Sequence, residues 1–167
     1  MSAITALTAQ NTTGVYGILE ADGDFVANQL DCVFTDIFPD AVKIGMVYGN
    51  NSAKVIADKL NFYKAKNIVT DPVMVSTSGS RLISEQGLEN LKKYLLPISA
   101  LATPNVPEAE ILSGINIKNL QDMQNAAKII SDKYGCAVLC KGGHLEDCSD
   151  DLLYFDGEFY TYPSVRI

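Results

Sequence analysis

Apolar and polar residues alternate along this chain in two rhythms. Residues 2–9, SAITALTA, combine β-branched and small apolar side chains and predict a buried strand. Across 24–37 the period lengthens, and Val26, Leu30, Val33 and Ile37 fall on one helical stripe. AVKIGM (41–46) predicts a second strand. Residues 52–65 predict a helix with Ser52 as N-cap and Ile56, Leu60 and Tyr63 inward. NIVTDPV (67–73) reads as a third strand, ended by Pro72. The loop MVSTSGSRLI then leads to a helix starting near Ser84, with Leu88, Leu91 and Leu95 on its buried face. ISALATP (98–104) is a fourth strand, and 107–113 a short helix closed by Gly114. The clearest helix is 119–134, with Leu120, Met123, Ala127, Ile130 and Tyr134 inward and Gly135 as its stop. CAVLCK (136–141) is a fifth strand.

The rhythm then changes. DLLYFDGEFYTYP carries two alternating apolar runs around Asp156-Gly157, the signature of a hairpin whose turn needs two positive φ values. Strand–helix alternation with short connections implies right-handed crossovers and a mainly parallel sheet covered on both faces. The expected fold is one three-layer α/β domain with an antiparallel hairpin near the C-terminus. No repeat, low-complexity tract or linker divides it.

Composition narrows the function. An apolar content of 47% with 20% charged residues is that of a folded domain. A formal charge of −7 argues against nucleic acid, whose phosphates demand clustered Lys and Arg. It leaves a nucleotide substrate open, since backbone N–H groups and one or two cations suffice. No stretch approaches the ~20 apolar residues that cross a bilayer, so no membrane partner is expected. Among Cys32, Cys136, Cys140 and Cys148 there is no C-x-x-C pair, and His144 is the only histidine, which supports zinc poorly. Free thiols in an acidic chain fit a reducing cytoplasm.

Open parallel sheets bind ligands beyond the carboxyl ends of their strands. Here those ends read Gln10-Asn11, Gly45-Met46, Asp71-Pro72, Thr103-Pro104-Asn105 and Lys141-Gly142-Gly143. Lys141 followed by two glycines can hold a phosphate against bare backbone. Asp71 and Glu108 can hold Mg²⁺, an ion that takes few carboxylates and keeps several waters. Asn105 can fix a water or a phosphate. Each residue has a plainer reading. Lys141 can end a strand in solvent, Asp71 can open a turn before Pro72, and Met46 can be core packing. Asn105 and Glu108 have the spacing of a capping box. Neither a Walker A nor a Rossmann glycine motif occurs.

Taken together, SAITALTAQNTTGV, AVKIGMV, DPVMVSTSG, TPNVPEAEIL and AVLCKGGHLED resemble the hydroxymethylpyrimidine/phosphomethylpyrimidine kinases of thiamine biosynthesis, within the ribokinase-like superfamily. The resemblance runs the length of the chain, and pyridoxal kinase is the nearest confusable relative. It implies ATP-dependent phosphorylation of 4-amino-5-hydroxymethyl-2-methylpyrimidine and then of its monophosphate, with Mg²⁺. It implies that Gln10, Met46 and Val73 contact the pyrimidine. Asn105, Lys141, Gly142 and Gly143 would meet ATP phosphates, and Asp71 and Glu108 the metal. Ser80 stands where many relatives carry Asp.

The family's glycine-rich N-terminal segment and its T-H-G-T-G-C/D anion-hole segment have no counterpart here. The expected base and anion hole lie beyond Ile167, and weak or no activity is expected of these residues alone. A homodimer is the expected assembly. A non-catalytic aminopyrimidine-binding module and a pyridoxal kinase are the competing readings.

Overall fold

The structure is a computed structural model that describes residues 1–49, 51–74, 82–143 and 150–163. Ser80, His144 and Cys148 lie outside the described residues. In chain order the elements are β1 (Ala6–Asn11), β2 (Gly14–Glu20), α1 (Gly23–Asp36), β3 (Val42–Ile44), α2 (Ser52–Phe62), β4 (Ile68–Thr70) and α3 (Glu85–Asn90). They continue with β5 (Leu101–Ala102), α4 (Val106–Ser113), α5 (Leu120–Tyr134), β6 (Ala137–Cys140), β7 (Asp151–Phe155) and β8 (Glu158–Tyr162).

Strands β3 to β8 form a six-stranded sheet in sequence order. β3, β4, β5 and β6 are parallel, each joined to the next by helical crossovers, and β7 and β8 add an antiparallel hairpin. Asp156 (φ 52°) and Gly157 (φ 83°) make the predicted turn. This is the mainly parallel α/β architecture expected from the alternation. The two sheet faces are unequally covered. Ile44, Thr70, Ala102, Val138 and Tyr154 are register partners in one buried row. The opposite row contains Val69, Leu101, Ala137, Leu139 and Leu153, which are only half-buried. Two apolar clusters hold the helices in place. One joins α4 and α5 to β5, β6 and β7. The other joins α1 and α2 to β3, Ile68 and Leu95.

Residues 2–9 depart from expectation. They contribute no strand to the sheet. Residues 6–11 instead pair with β2 in a separate antiparallel ribbon, with Leu7 61% and Leu19 68% exposed. The reason is the turn chemistry of NTTG. Asn11 Oδ1 accepts from the Thr13 N–H at 2.9 Å and the Gly14 N–H at 3.2 Å, folding the chain straight back. Of the expected buried strand at 2–9 only residues 6–9 are strand, and they are mostly exposed, because the partner strand GVYGILE pairs with them outside the sheet.

Helix ends show smaller corrections. On α1 the buried stripe is Val26, Leu30 and Phe34, while Ile37, already extended at φ −122°, is 63% exposed. The N-cap position of α2 is Asn51, and Ser52 is its buried first residue. The run beyond α3 turns as a π-helical segment at Leu91–Leu95 and a 3-10 turn at Leu96–Ile98. Pro97 has no N–H to continue an α-helical ladder there. Helix α3 starts from its N-cap Ser84, and Gly114 and Gly135 close their helices as expected, while Asn119, expected as the first residue of α5, is its N-cap.

Candidate active site

The site grows from strand ends that overrun their ladders. Asp71 N–H donates to the Ile44 carbonyl at 2.8 Å, and Thr103 N–H donates to the Thr70 carbonyl at 2.9 Å. Lys141 N–H donates to the Pro104 carbonyl at 2.9 Å, and Asn105 and Lys141 form a parallel bridge. Asp71, Asn105 and Lys141 are thereby set side by side on one sheet edge, as the sequence predicted.

Asn105 is the N-cap of α4 (φ −78°, ψ 174°). Its Oδ1 accepts from the Glu108 N–H at 2.9 Å, and Glu108 Oε2 accepts from the Asn105 N–H at 2.9 Å. The capping box is complete, and Glu108 does more than cap. Its Oε1 also accepts from the Met74 N–H at 3.3 Å, tying the loop after β4 to α4. Glu108 is 4% exposed, and burial raises its carboxyl above the ordinary value despite those backbone hydrogen bonds.

Asp71 is set the other way. Burial pushes its carboxyl up, but the Lys141 hydrogen bond and the charges of Lys141 and Lys43 outweigh it, and the net direction is down. Lys141 Nζ lies 2.9 Å from Oδ1, and Lys43 Nζ lies 3.4 Å from Oδ2. The carboxyl groups of Glu108 and Asp71 are thus shifted in opposite directions, and perturbed carboxyls of this kind are concentrated at functional sites.

Other candidates fare differently. Gly142 is explained by the fold. A Cβ there would sit 1.9 Å from the Asp150 carbonyl oxygen, and its N–H already donates to Asp151 Oδ1 at 2.9 Å. Its assignment to phosphate is therefore weakened, whereas Gly143 is exposed with open space around its Cα. Met46 is half-buried, its carbonyl accepting from Thr5 Oγ1 at 2.8 Å. Val73 is half-buried beyond Asp71, and its N–H donates to the Asp71 carbonyl at 2.8 Å. Gln10 is exposed on β1, next to the register shift between Ala9 and Gln10. It sits on the ribbon rather than at an end of the main sheet. A groove of about 410 Å³ runs along the outer edge of β3, bounded by Met1, Ala3, α1 and Met46. It touches the expected pyrimidine contact at Met46 and also Lys43, but not Asp71, Glu108 or Lys141.

Mg²⁺ can be tested against this donor set. Among the described residues no group of three or more His, Cys, Asp or Glu converges. A dedicated protein cage is therefore not what these residues offer. Two carboxylates with lone pairs remaining fit an ion that arrives on phosphates and keeps its waters. Lys43 was not foreseen as a site residue. Its signal was a lysine between Val42 and Ile44 in an otherwise apolar strand.

The fold defines the class: a ribokinase-like α/β domain, with a charged cluster at one edge of its sheet. The profile of phosphomethylpyrimidine kinase matches residues 1–167, and the chain belongs to that family. It is 45% identical over 167 residues to the thiamine biosynthesis bifunctional protein of Geobacter sulfurreducens, covering 99% of this chain and 34% of that one. The crystal structure of phosphomethylpyrimidine kinase from Clostridium difficile 630 superposes with a TM-score of 0.91 at 43% identity, covering 98% of this chain and 71% of that chain. The pyridoxal kinase of Staphylococcus aureus, in complex with pyridoxal, gives a TM-score of 0.85 at 34% identity over 96% of this chain and 59% of that chain. The first curated relatives are longer, with this chain covering from 34% to 66% of their length.

Proposed function

We propose that this chain forms the centre of an ATP-dependent kinase acting on 4-amino-5-hydroxymethyl-2-methylpyrimidine and its monophosphate in thiamine biosynthesis. The observation that carries the reading is the Asp71–Lys141 pair beside a buried, loop-bound Glu108, all on one sheet edge. Lys141 supplies the charge that a transferring phosphate needs in place of water. Glu108, fixed by two backbone N–H groups, and Asp71 are the groups to hold Mg²⁺ through its waters. When bound, Mg²⁺ neutralises phosphate charge. Asn105 positions Glu108, and Gly143 allows close approach of an anion to the backbone. Gln10, Met46 and Val73 are assigned to the pyrimidine, with the β1–β2 ribbon as the element that brings Gln10 to it.

A homodimer in the cytoplasm is part of the same proposal. It is supported by the exposed Leu7, Tyr16 and Leu19 of the ribbon and by the free, buried thiols of Cys136 and Cys140. No helix among the described residues is long and apolar enough to cross a membrane.

The test is a chimera in which residues 1–167 replace the matching part of the Clostridium difficile relative. The chimera should phosphorylate hydroxymethylpyrimidine and its monophosphate with ATP. Phosphorylation of pyridoxal in preference to the pyrimidine would move the assignment to pyridoxal kinase. Pyrimidine binding without transfer would favour the binding-module reading.

A further inference from the structure

Asp71 holds two cations, and only one belongs to the expected site. Lys141 comes from the end of β6 and Lys43 from the edge strand β3, on opposite sides of β4 and β5 in the sheet. Val69 and Leu101, Lys43's successive register neighbours, are apolar, so packing gives no reason for a charge in this row. The Lys43 side chain is 68% exposed, and an exposed lysine gains little stability from an ion pair of this kind. What the arrangement does achieve is local charge. One carboxylate shared by two ammonium groups leaves the cluster net positive in a chain whose formal charge is −7. The carboxylate presents two oxygens on one carbon, one to each lysine. A terminal phosphoryl group presents oxygens on one phosphorus in a similar fork.

We propose that Lys43 is a second anion-binding cation of this site, with Asp71 as the internal anion that keeps both lysines in place until a polyphosphate arrives. The ligand class is the terminal end of a di- or triphosphate. As it binds, Lys43 and Lys141 exchange the carboxylate for phosphoryl oxygens, and Asp71 becomes free for a divalent cation borne by the phosphates. This rests on the phosphate-handling reading above and adds a residue that the family resemblance did not supply.

The exchange predicts that Asp71 opposes anion binding when no metal is present. The probe is inorganic pyrophosphate, titrated calorimetrically into the 167-residue chain at low salt with a chelator present. Asp71→Asn should bind pyrophosphate about tenfold more tightly than the native chain, the scale of one charge-assisted hydrogen bond. Adding Lys43→Met to Asp71→Asn should abolish that gain, and Lys43→Arg should keep it. Unchanged thermal melting of the Lys43 variants excludes a folding effect. If Lys141→Met weakens pyrophosphate binding and Lys43→Met does not, this proposal is overturned while the phosphate site stands. If neither lysine matters, or the native chain and Asp71→Asn bind no pyrophosphate, both readings fall. Failure of Asp71→Asn to tighten binding removes the exchange.

Discussion

At the residue scale, Glu108 shows how a structural role and a chemical one share a side chain. Both carboxylate oxygens accept backbone N–H groups, from Asn105 and from Met74. Glutamine has one carbonyl oxygen, so Glu108→Gln keeps one of those bonds and turns an NH₂ towards the other donor. The lost bond costs about 0.5–1.5 kcal/mol, partly offset by removing a desolvated charge. The balance shifts with pH. A carboxyl raised above its ordinary 4.5 in the fold contributes stability that is full at low pH and lost as pH rises through the folded value. Urea unfolding should therefore show Glu108→Gln gaining on the native chain as pH climbs from about 4 to 7. Asp71 acts oppositely. Its lowered carboxyl contributes stability above 3.8 that is lost as pH falls through the folded value, and Asp71→Asn should flatten that acid limb. In the chimera, Glu108→Gln should also cost at least about tenfold in turnover, ~1.4 kcal/mol of barrier, and the loss should shrink with added Mg²⁺. Asn105, Glu108, Asp71 and Lys141 were legible because strand ends and caps have local signatures. Lys43 was not, because its meaning depends on a partner 28 residues away.

At the element scale, the two glycines after β6 separate fold from ligand. Gly142→Ala drives a methyl into the Asp150 carbonyl, so β6 and β7 must shift apart, and a loss of about 2 kcal/mol or more is expected in thermal unfolding. Gly143→Ala meets open space and should leave the melting temperature unchanged. The β1–β2 ribbon is held at its root. Gln29 on α1 accepts from the Ile4 N–H at 2.8 Å and donates to the Ile4 carbonyl at 2.9 Å, while Thr5 Oγ1 reaches Met46. Losing both Gln29 bonds in Gln29→Leu should speed hydrogen exchange in residues 6–20 by about tenfold, leaving the β7–β8 hairpin unchanged. Equal exchange in both hairpins would show that Gln29 does not anchor the ribbon. Helices and the β7–β8 hairpin were readable because periodicity and an Asp-Gly turn are local signals. The ribbon was misassigned because a strand's composition does not name its partner: SAITALTA fits a buried sheet and a free ribbon equally well.

At the scale of the molecule, the inequality between the sheet faces is the feature that sequence alternation could not resolve. A half-buried strand shows alternating apolar and polar residues, yet β6 reads Ala137, Val138, Leu139 and Cys140, apolar on both sides. Such a run predicts cover on both faces, and within the described residues only one is fully covered. Val138 is 0% exposed, while Leu139 belongs to the half-buried row. Adjacent residues of similar chemistry should therefore differ sharply in tolerance. Val138→Asp buries an unpaired carboxylate among the α4–α5 cluster and should unfold the chain, since such burial costs several kcal/mol. Leu139→Asp lets its carboxylate reach water and should cost about 1–2 kcal/mol, leaving a cooperative far-ultraviolet melt. The same substitution breaks the apolar row from Val69 to Leu153, so it should reduce binding of an apolar dye and any concentration-dependent association through that face. Dimerisation through the ribbon would be untouched by Leu139→Asp and lost in Leu7→Lys with Leu19→Lys. Sedimentation of the two variants distinguishes the surfaces. Equal destabilisation by Val138→Asp and Leu139→Asp would show that the second face is as well covered as the first.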